Sequence, residues 1–320
     1  MTKPHLFLIG GATKRMIQAF NQHFTLHSRR DIDDIDGFLA EMGDKITAVA
    51  TNGHSGISAK YMNAFPNLQV ISCYGVGYDA IDCAPAVARG IQISHTPDVL
   101  NIDVANHALL LLLAASRNLI AEDTHARSGQ WASAGNLGLS TSITGKTVGI
   151  IGLGRIGLEI ARKLAAFDCD VVYHNRRKRG DVVYKYYDDL TQMARDCWAV
   201  IAITPGGQAT QHLVDADVIN AIGPQGIFVN VARGSVVDQP ALIAALTDGR
   251  LGFAALDVFA AEPEIPDALS ALPNTILTSH IASATHETRT AMGDLMVENL
   301  LEFFATGSVK TPVPECAHLC

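Results

Sequence analysis

Short apolar runs alternate with stretches of helical periodicity along almost the whole chain. Runs at 5–9, 48–51, 70–74 and 91–94 read as strands, and a second series follows at 147–152, 170–174, 199–203, 226–230, 252–257 and 275–279. Most are apolar at consecutive positions, so both faces of each strand must be covered, as in a parallel sheet between helical layers. Strands alternating with helices in this way predict βαβ units and an α/β protein of two doubly wound domains. Residues 101–117 predict a helix so apolar in its middle that it must be buried between domains or between subunits. Met292, Leu295, Met296, Asn299, Leu300, Phe303 and Phe304 recur at spacings of three and four, and Gly307 stops that helix. Thr96-Pro97-Asp98 breaks the first strand series and starts a helix. The expected domains are therefore residues 1–99 with 288–320, and residues 100–287.

Composition narrows the class. With 320 residues, 48% of them hydrophobic and 18% charged, the chain can bury a large core. Its 24 basic residues against 32 acidic ones leave a net charge of −8, which argues against nucleic acid as a partner. Six cysteines form no CxxC pair and no Cys/His cluster of zinc-finger spacing, so thiols in a reducing compartment are expected and no metal site. The apolar stretch 6–9 is too short for a secretory signal, and the longest apolar run, 108–115, is far below the ~20 residues needed to span a bilayer. A cytoplasmic location away from membranes is expected.

Candidate chemistry begins at Gly152-Leu153-Gly154-Arg155-Ile156-Gly157, which follows one strand and opens a helix. In such a fingerprint the first glycine permits a tight turn, the second admits a pyrophosphate to the backbone, and the third lets helix and strand pack closely. The helix N-terminus then faces the anion with its unpaired N–H groups. Gly75-Val76-Gly77-Tyr78-Asp79-Ala80 fits the same pattern, so the motif alone is ambiguous. Only the 152 motif has a second strand ending at the distance where a side chain meets the adenosine ribose, which predicts a Rossmann-like dinucleotide domain. The residue at that strand end is Asn175, followed by Arg176, Arg177, Lys178 and Arg179. An acidic residue would repel a 2′-phosphate, whereas asparagine does not and arginine forks can bind it, so NADP(H) is the expected cofactor. A solvated basic loop is the other reading of this cluster.

Ligands of open α/β sheets bind beyond the carboxyl ends of the strands. Later strands of the second series lead into Thr204, into Val231-Ala232-Arg233-Gly234, into Asp257 with Glu262-Pro263 after it, and into His280-Ile-Ala282-Ser283. With these motifs, and with Tyr74-Gly-Val76-Gly77 in the first series, the chain resembles the D-isomer-specific 2-hydroxyacid dehydrogenases. The similarity is greatest to the branch reducing glyoxylate, hydroxypyruvate and hydroxyphenylpyruvate. Ser279 and Ala282 depart from the family pattern, which often has proline and glycine there, but remove no catalytic group.

The resemblance implies two Rossmann-like domains with a deep cleft between them, the first binding substrate and the second NADP. It implies a small 2-oxoacid as substrate, with Arg233 on its carboxylate, His280 as proton donor and Glu262 orienting the imidazole and favouring its charged form. It also implies that the N–H groups of Val76 and Gly77 grip the carboxylate, which turns the second glycine motif into a small anion nest. Thr204, Val231, Ala232, Asp257 and Ala282 join the expected cofactor set, with Asp257 near the nicotinamide. Tyr74, Leu100, Ser283 and Trp131 join the substrate set, Trp131 reaching across a homodimer. Two alternatives stay open: another 2-oxoacid, such as a phenylpyruvate, and a nucleotide-sensing regulatory protein.

Overall fold

The structure is a computed structural model and describes residues 3–320. The chain divides into two compact units, one reaching to Leu100 and rejoined by Thr285–Cys320, the other Asn101–Ala284.

The first unit is built on β1 (His5–Leu8), β2 (Thr25–Ser28), β3 (Ile46–Asn52), β4 (Val70–Tyr74) and β5 (Gln92–Ser94). They form a parallel sheet in the order β2-β1-β3-β4-β5, the flavodoxin-like doubly wound arrangement. Period-two alternation sends Phe7, Val49, Ile71 and Cys73 to one face and Leu6, Leu8, Ala48, Ala50 and Val70 to the other. Met62 and Phe65 pack on the first face. Helices Lys14–His23 and His286–Thr306 cover the second through Met16, Phe20, Met296 and Leu300. Gly307, at φ 87°, ends the long helix as its position in the sequence predicts.

The second unit carries β6 (Thr147–Ile151), β7 (Asp170–His174), β8 (Lys185–Tyr187), β9 (Ala199–Ala202), β10 (Ile227–Asn230), β11 (Phe253–Leu256) and β12 (Thr275–Leu277). All are parallel, in the order β12-β11-β10-β9-β6-β7-β8. Counted from β6, this is the 3-2-1-4-5-6 order of dinucleotide-binding sheets with one strand added. The order reverses between β6 and β9, and ligands of such sheets bind beyond the strand ends at that switch point. Helix Asn101–Ser116 packs against helix Arg155–Ala166 and strands β10 and β11.

Two strands lie outside the sequence expectation. β2 and β8 are short edge strands, half-exposed and polar, so neither shows the double-sided apolar run that marks the inner strands. Conversely β12 stops at Leu277 rather than at 279, because Thr278 and the residues beyond it turn aside to bond Asp257. No disulfide links the six cysteines. No single helix among the described residues is long and apolar enough to cross a membrane. Helices Asn101–Ser116 and Leu119–Arg127 reach that length and composition only as a pair bent by 61°, and the first is a largely buried core helix.

Candidate active site

The glycine turn after β6 shows why each of its glycines is there. Gly152 has φ 102°, and a Cβ on it would come within 2.7 Å of the Ile203 carbonyl oxygen and 3.0 Å of Thr204 Cγ2. Gly157 packs so closely that a Cβ would run into the Gly152 carbonyl. Gly154 has nothing within 4 Å of where its Cβ would stand. It is also the N-cap of helix Arg155–Ala166, and having no side chain it leaves that cap without a side-chain hydrogen bond. Beside the turn, Thr204 Oγ1 is buried with no hydrogen-bond partner among the described residues. Open space at Gly154, uncapped helix amides and an orphaned hydroxyl are what a bound dinucleotide would fill and satisfy.

The turn is stitched to the end of β7. Leu153 donates its N–H to Asn175 Oδ1 at 2.7 Å, and Gly152 donates to the His174 carbonyl at 3.0 Å. Arg179 Nη1 donates to the Leu153 carbonyl at 2.7 Å, while its Nε and Nη2 grip Asp181. The basic cluster therefore splits by role. Arg179 is spent on the protein, whereas Arg176 and Arg177 are exposed and make no ion pair among the described residues. Nothing in the sequence separated these arginines, because their distinction lies in the bend at 176–177, after which Arg179 returns to Leu153 and Tyr173.

Beyond β10, Asn230 is buried and folds the next turn. Its Oδ1 accepts from the Ala232 N–H and its Nδ2 donates to the Arg233 carbonyl, both at 3.0 Å. Val231 and Ala232 are buried, and Arg233 is half-buried at the turn. Gly234 must be glycine because its Cβ position is occupied by the Phe259–Ala260 backbone. That close approach seats the Arg233 turn on the loop that carries Glu262.

Glu262 and His280 meet directly. Glu262 Oε2 lies 2.7 Å from His280 Nδ1, and Oε1 accepts from the Phe259 N–H at 3.0 Å. The carboxylate side chain is 18% exposed and the imidazole 45%, so a shielded anion orients an accessible ring. With Nδ1 facing the carboxylate, Nε2 is the atom left to exchange a proton. His280 itself has φ 55°, a left-handed conformation rare outside glycine.

Asp257 is tied into the protein as a strand-end anchor. Thr278 Oγ1 donates to its Oδ1 at 2.7 Å, the Ile281 N–H to Oδ1 at 2.8 Å and the Ala282 N–H to Oδ2 at 3.0 Å. Burial pushes its carboxyl up, but these bonds together with that from His107 outweigh it, and the net shift is below the usual carboxylate value. Sequence reasoning missed His107 and Thr278, which complete this cluster.

In the first unit the loop after β4 is held by hydrogen bonds at Gly75 and Val76. Thr96 Oγ1 accepts from the Gly75 N–H at 2.9 Å and His95 Nδ1 lies 3.0 Å from the Val76 carbonyl. The N–H groups of Val76 and Gly77 have no acceptor among the described residues. Tyr74 donates its hydroxyl to the Arg289 carbonyl at 3.0 Å with the Arg289 guanidinium over its ring, and Leu100 is buried. Ser283 is half-buried in the loop after His280. Trp131 is not gathered with the Glu262–His280 pair. It is 64% exposed on the short helix Gln130–Ala134, its indole N–H donating to Asn136 Oδ1 at 2.9 Å.

A doubly wound sheet with a glycine turn at its switch point, and Arg, Glu and His at neighbouring strand ends, defines a class of dinucleotide-dependent enzymes. Residues 109–282 match the family model of the D-isomer specific 2-hydroxyacid dehydrogenase NAD binding domain. The chain is 44% identical to glyoxylate/hydroxypyruvate reductase A of Arabidopsis thaliana, over 84% of this chain and 86% of that one. It is 39% identical to the 2-ketogluconate reductase of Gluconobacter oxydans, over 98% and 99% of the two chains. The crystal structure of an NADPH-dependent glyoxylate/hydroxypyruvate reductase from Sinorhizobium meliloti, in complex with NADP and malonate, superposes with a TM-score of 0.92 at 41% identity, covering 98% of each chain. The chain belongs to the D-isomer-specific 2-hydroxyacid dehydrogenase family.

Proposed function

We propose that the protein reduces a small 2-oxoacid, glyoxylate or hydroxypyruvate, to the D-2-hydroxyacid with NADPH. The observation that carries the reading is the Glu262–His280 pair at 2.7 Å, beside the Arg233 turn on the face that holds the glycine turn. Bound NADPH supplies the hydride. His280 Nε2 gives a proton to the carbonyl oxygen as negative charge builds there, and Glu262 orients the imidazole through Nδ1. Arg233 binds the substrate carboxylate and polarises the ketone. Within the unit reaching to Leu100, the open amides of Val76 and Gly77 suit a carboxylate, and Tyr74 and Leu100 belong to the same substrate-binding set; Ser283 follows His280 in the other unit. The unit from Asn101 to Ala284 holds the cofactor, with Gly152–Gly157 residues on the pyrophosphate and Thr204, Val231, Ala232, Asp257 and Ala282 around the nicotinamide. The other unit binds substrate.

Arg176 and Arg177, with Asn175 between them and the ribose, bind the 2′-phosphate. Their guanidinium groups are exposed and unspent, which supports NADP(H) over NAD(H). Ile102, Leu110, Leu119, Ile120, Trp131 and Leu139 are exposed on one continuous stretch of chain, which supports a homodimer with Trp131 reaching its partner.

The test is purified protein with NADPH or NADH and a panel of 2-oxoacids, following loss of reduced-nicotinamide absorbance. Glyoxylate and hydroxypyruvate should turn over faster than phenylpyruvates, with NADPH preferred, and Arg176→Ala should erode that preference. A clear NADH preference refutes the cofactor reading. Zero turnover across the panel with NADPH still bound refutes the reductase and favours a nucleotide sensor.

A further inference from the structure

Helix Asn101–Ser116 turns one polar side chain into its packed middle. His107 is 9% exposed, and the other buried positions from Val104 to Ala115 are all valine, alanine or leucine. A polar ring placed there needs a partner. Its Nε2 lies 3.1 Å from Thr278 Oγ1 and 3.4 Å from Asp257 Oδ1.

Counting protons fixes the direction of these bonds. The Thr278 hydroxyl has one proton, and its shortest acceptor is Asp257 Oδ1 at 2.7 Å. Toward His107 the hydroxyl oxygen is then an acceptor, so Nε2 of His107 carries the hydrogen that faces it. Asp257 is 1% exposed, and besides its carboxylate bonds to Ile281 and Ala282 its backbone carbonyl accepts from the His280 N–H at 2.9 Å. One buried residue thus grips three consecutive amides, 280 to 282. The first belongs to His280, whose left-handed backbone holds only while its surroundings enforce it.

We propose that His107 is a positioning residue for His280: with Thr278 it completes the hydrogen bonding of Asp257, and Asp257 holds the turn that presents the imidazole. The kinetic part of this proposal rests on His280 being the proton donor; the structural part does not. No atom of His107 need touch substrate or cofactor.

The experiment compares His107→Leu, His107→Gln and Thr278→Val with the wild-type enzyme. Leucine fills the volume without a donor, glutamine restores an N–H donor, and valine removes the hydroxyl link while leaving His107 in place. His107→Leu and Thr278→Val should lower kcat on the order of tenfold, the cost of a misplaced catalytic group. The Kd for NADPH, from quenching of protein fluorescence, should stay within about twofold, since ground-state binding is not what is lost. Hydrogen exchange of the Ile281 and Ala282 amides should quicken about tenfold as the turn opens more often. His107→Gln should recover most of both effects. Unchanged exchange at 281–282 in both His107→Leu and Thr278→Val overturns the proposal whatever the kinetics. Glutamine performing no better than leucine also overturns it, because the role would then be packing alone. If wild-type protein reduces no 2-oxoacid, the proposed function falls, and exchange at 281–282 still decides whether His107 holds the turn.

Discussion

Glu262 and His280 share a single short hydrogen bond, and each has a separable job. If His280 is the proton donor proposed above, His280→Ala should cost on the order of a hundredfold or more in kcat, the usual share of general acid catalysis. Glu262→Gln keeps a hydrogen-bond acceptor near Nδ1 but discards the charge of the carboxylate. It should lower kcat by roughly tenfold to a hundredfold, with KM for NADPH little changed. An unchanged kcat would mean the pairing is only structural. Asp257 links a residue to stability. Its folded-state carboxyl lies below the ordinary value, so its contribution is fully present above about pH 4 and is lost as pH falls through the depressed value. The melting-temperature gap between wild type and Asp257→Asn should therefore be widest near neutrality and close in acid. Cysteines offer a third check. Burial pushes the Cys83 and Cys197 thiols up to about 12, whereas Cys320 is exposed. At pH 8 a disulfide-exchange reagent should label Cys320 first and Cys197 only on unfolding.

The glycine turn separates folding from binding at the level of one element. A Cβ on Gly154 meets nothing in the protein, yet it fills the space beside the helix amides. Gly154→Ala should keep the melting temperature of the cofactor-free protein while weakening NADPH binding about tenfold or more. Gly157→Ala should lower both, because its Cβ strikes the Gly152 carbonyl. These roles were readable in the sequence because spacing in a strand-turn-helix unit is a local property. Inner strands were readable for a similar reason, since burial on two faces leaves a run of apolar residues. β2 and β8 left no such run, being edge strands with one open side. Long-range partnerships left no trace at all. Arg179 looks like its neighbours until the chain returns it to Leu153, and His107 looks like an interruption in an apolar helix until Thr278 arrives beside it. Arg233, Glu262 and His280 were singled out because parallel strands deliver their ends to one edge, and for Glu262 and His280 that sequence order translated into contact. The anchoring of His280 by Asp257 was not, because it depends on where β12 lets go of the sheet.

For the molecule as a whole, self-association is the property most open to test. Light scattering should give twice the 34.1 kDa chain mass. Leu110→Lys with Ile120→Lys should return a folded monomer if the exposed apolar stretch forms the interface. The connectivity of the first unit has a different consequence, in the order of events at the ribosome. Its sheet is complete once residue 94 has been made, but one face waits for helix His286–Thr306, whose Met296 and Leu300 close over Leu6, Leu8 and Ala48. At 5–20 residues per second, on the order of ten to forty seconds pass before that cover emerges. Meanwhile Asn101–Ala284 is continuous and can fold as it appears. The nascent N-terminal unit is therefore expected to leave that face open until helix His286–Thr306 has been made.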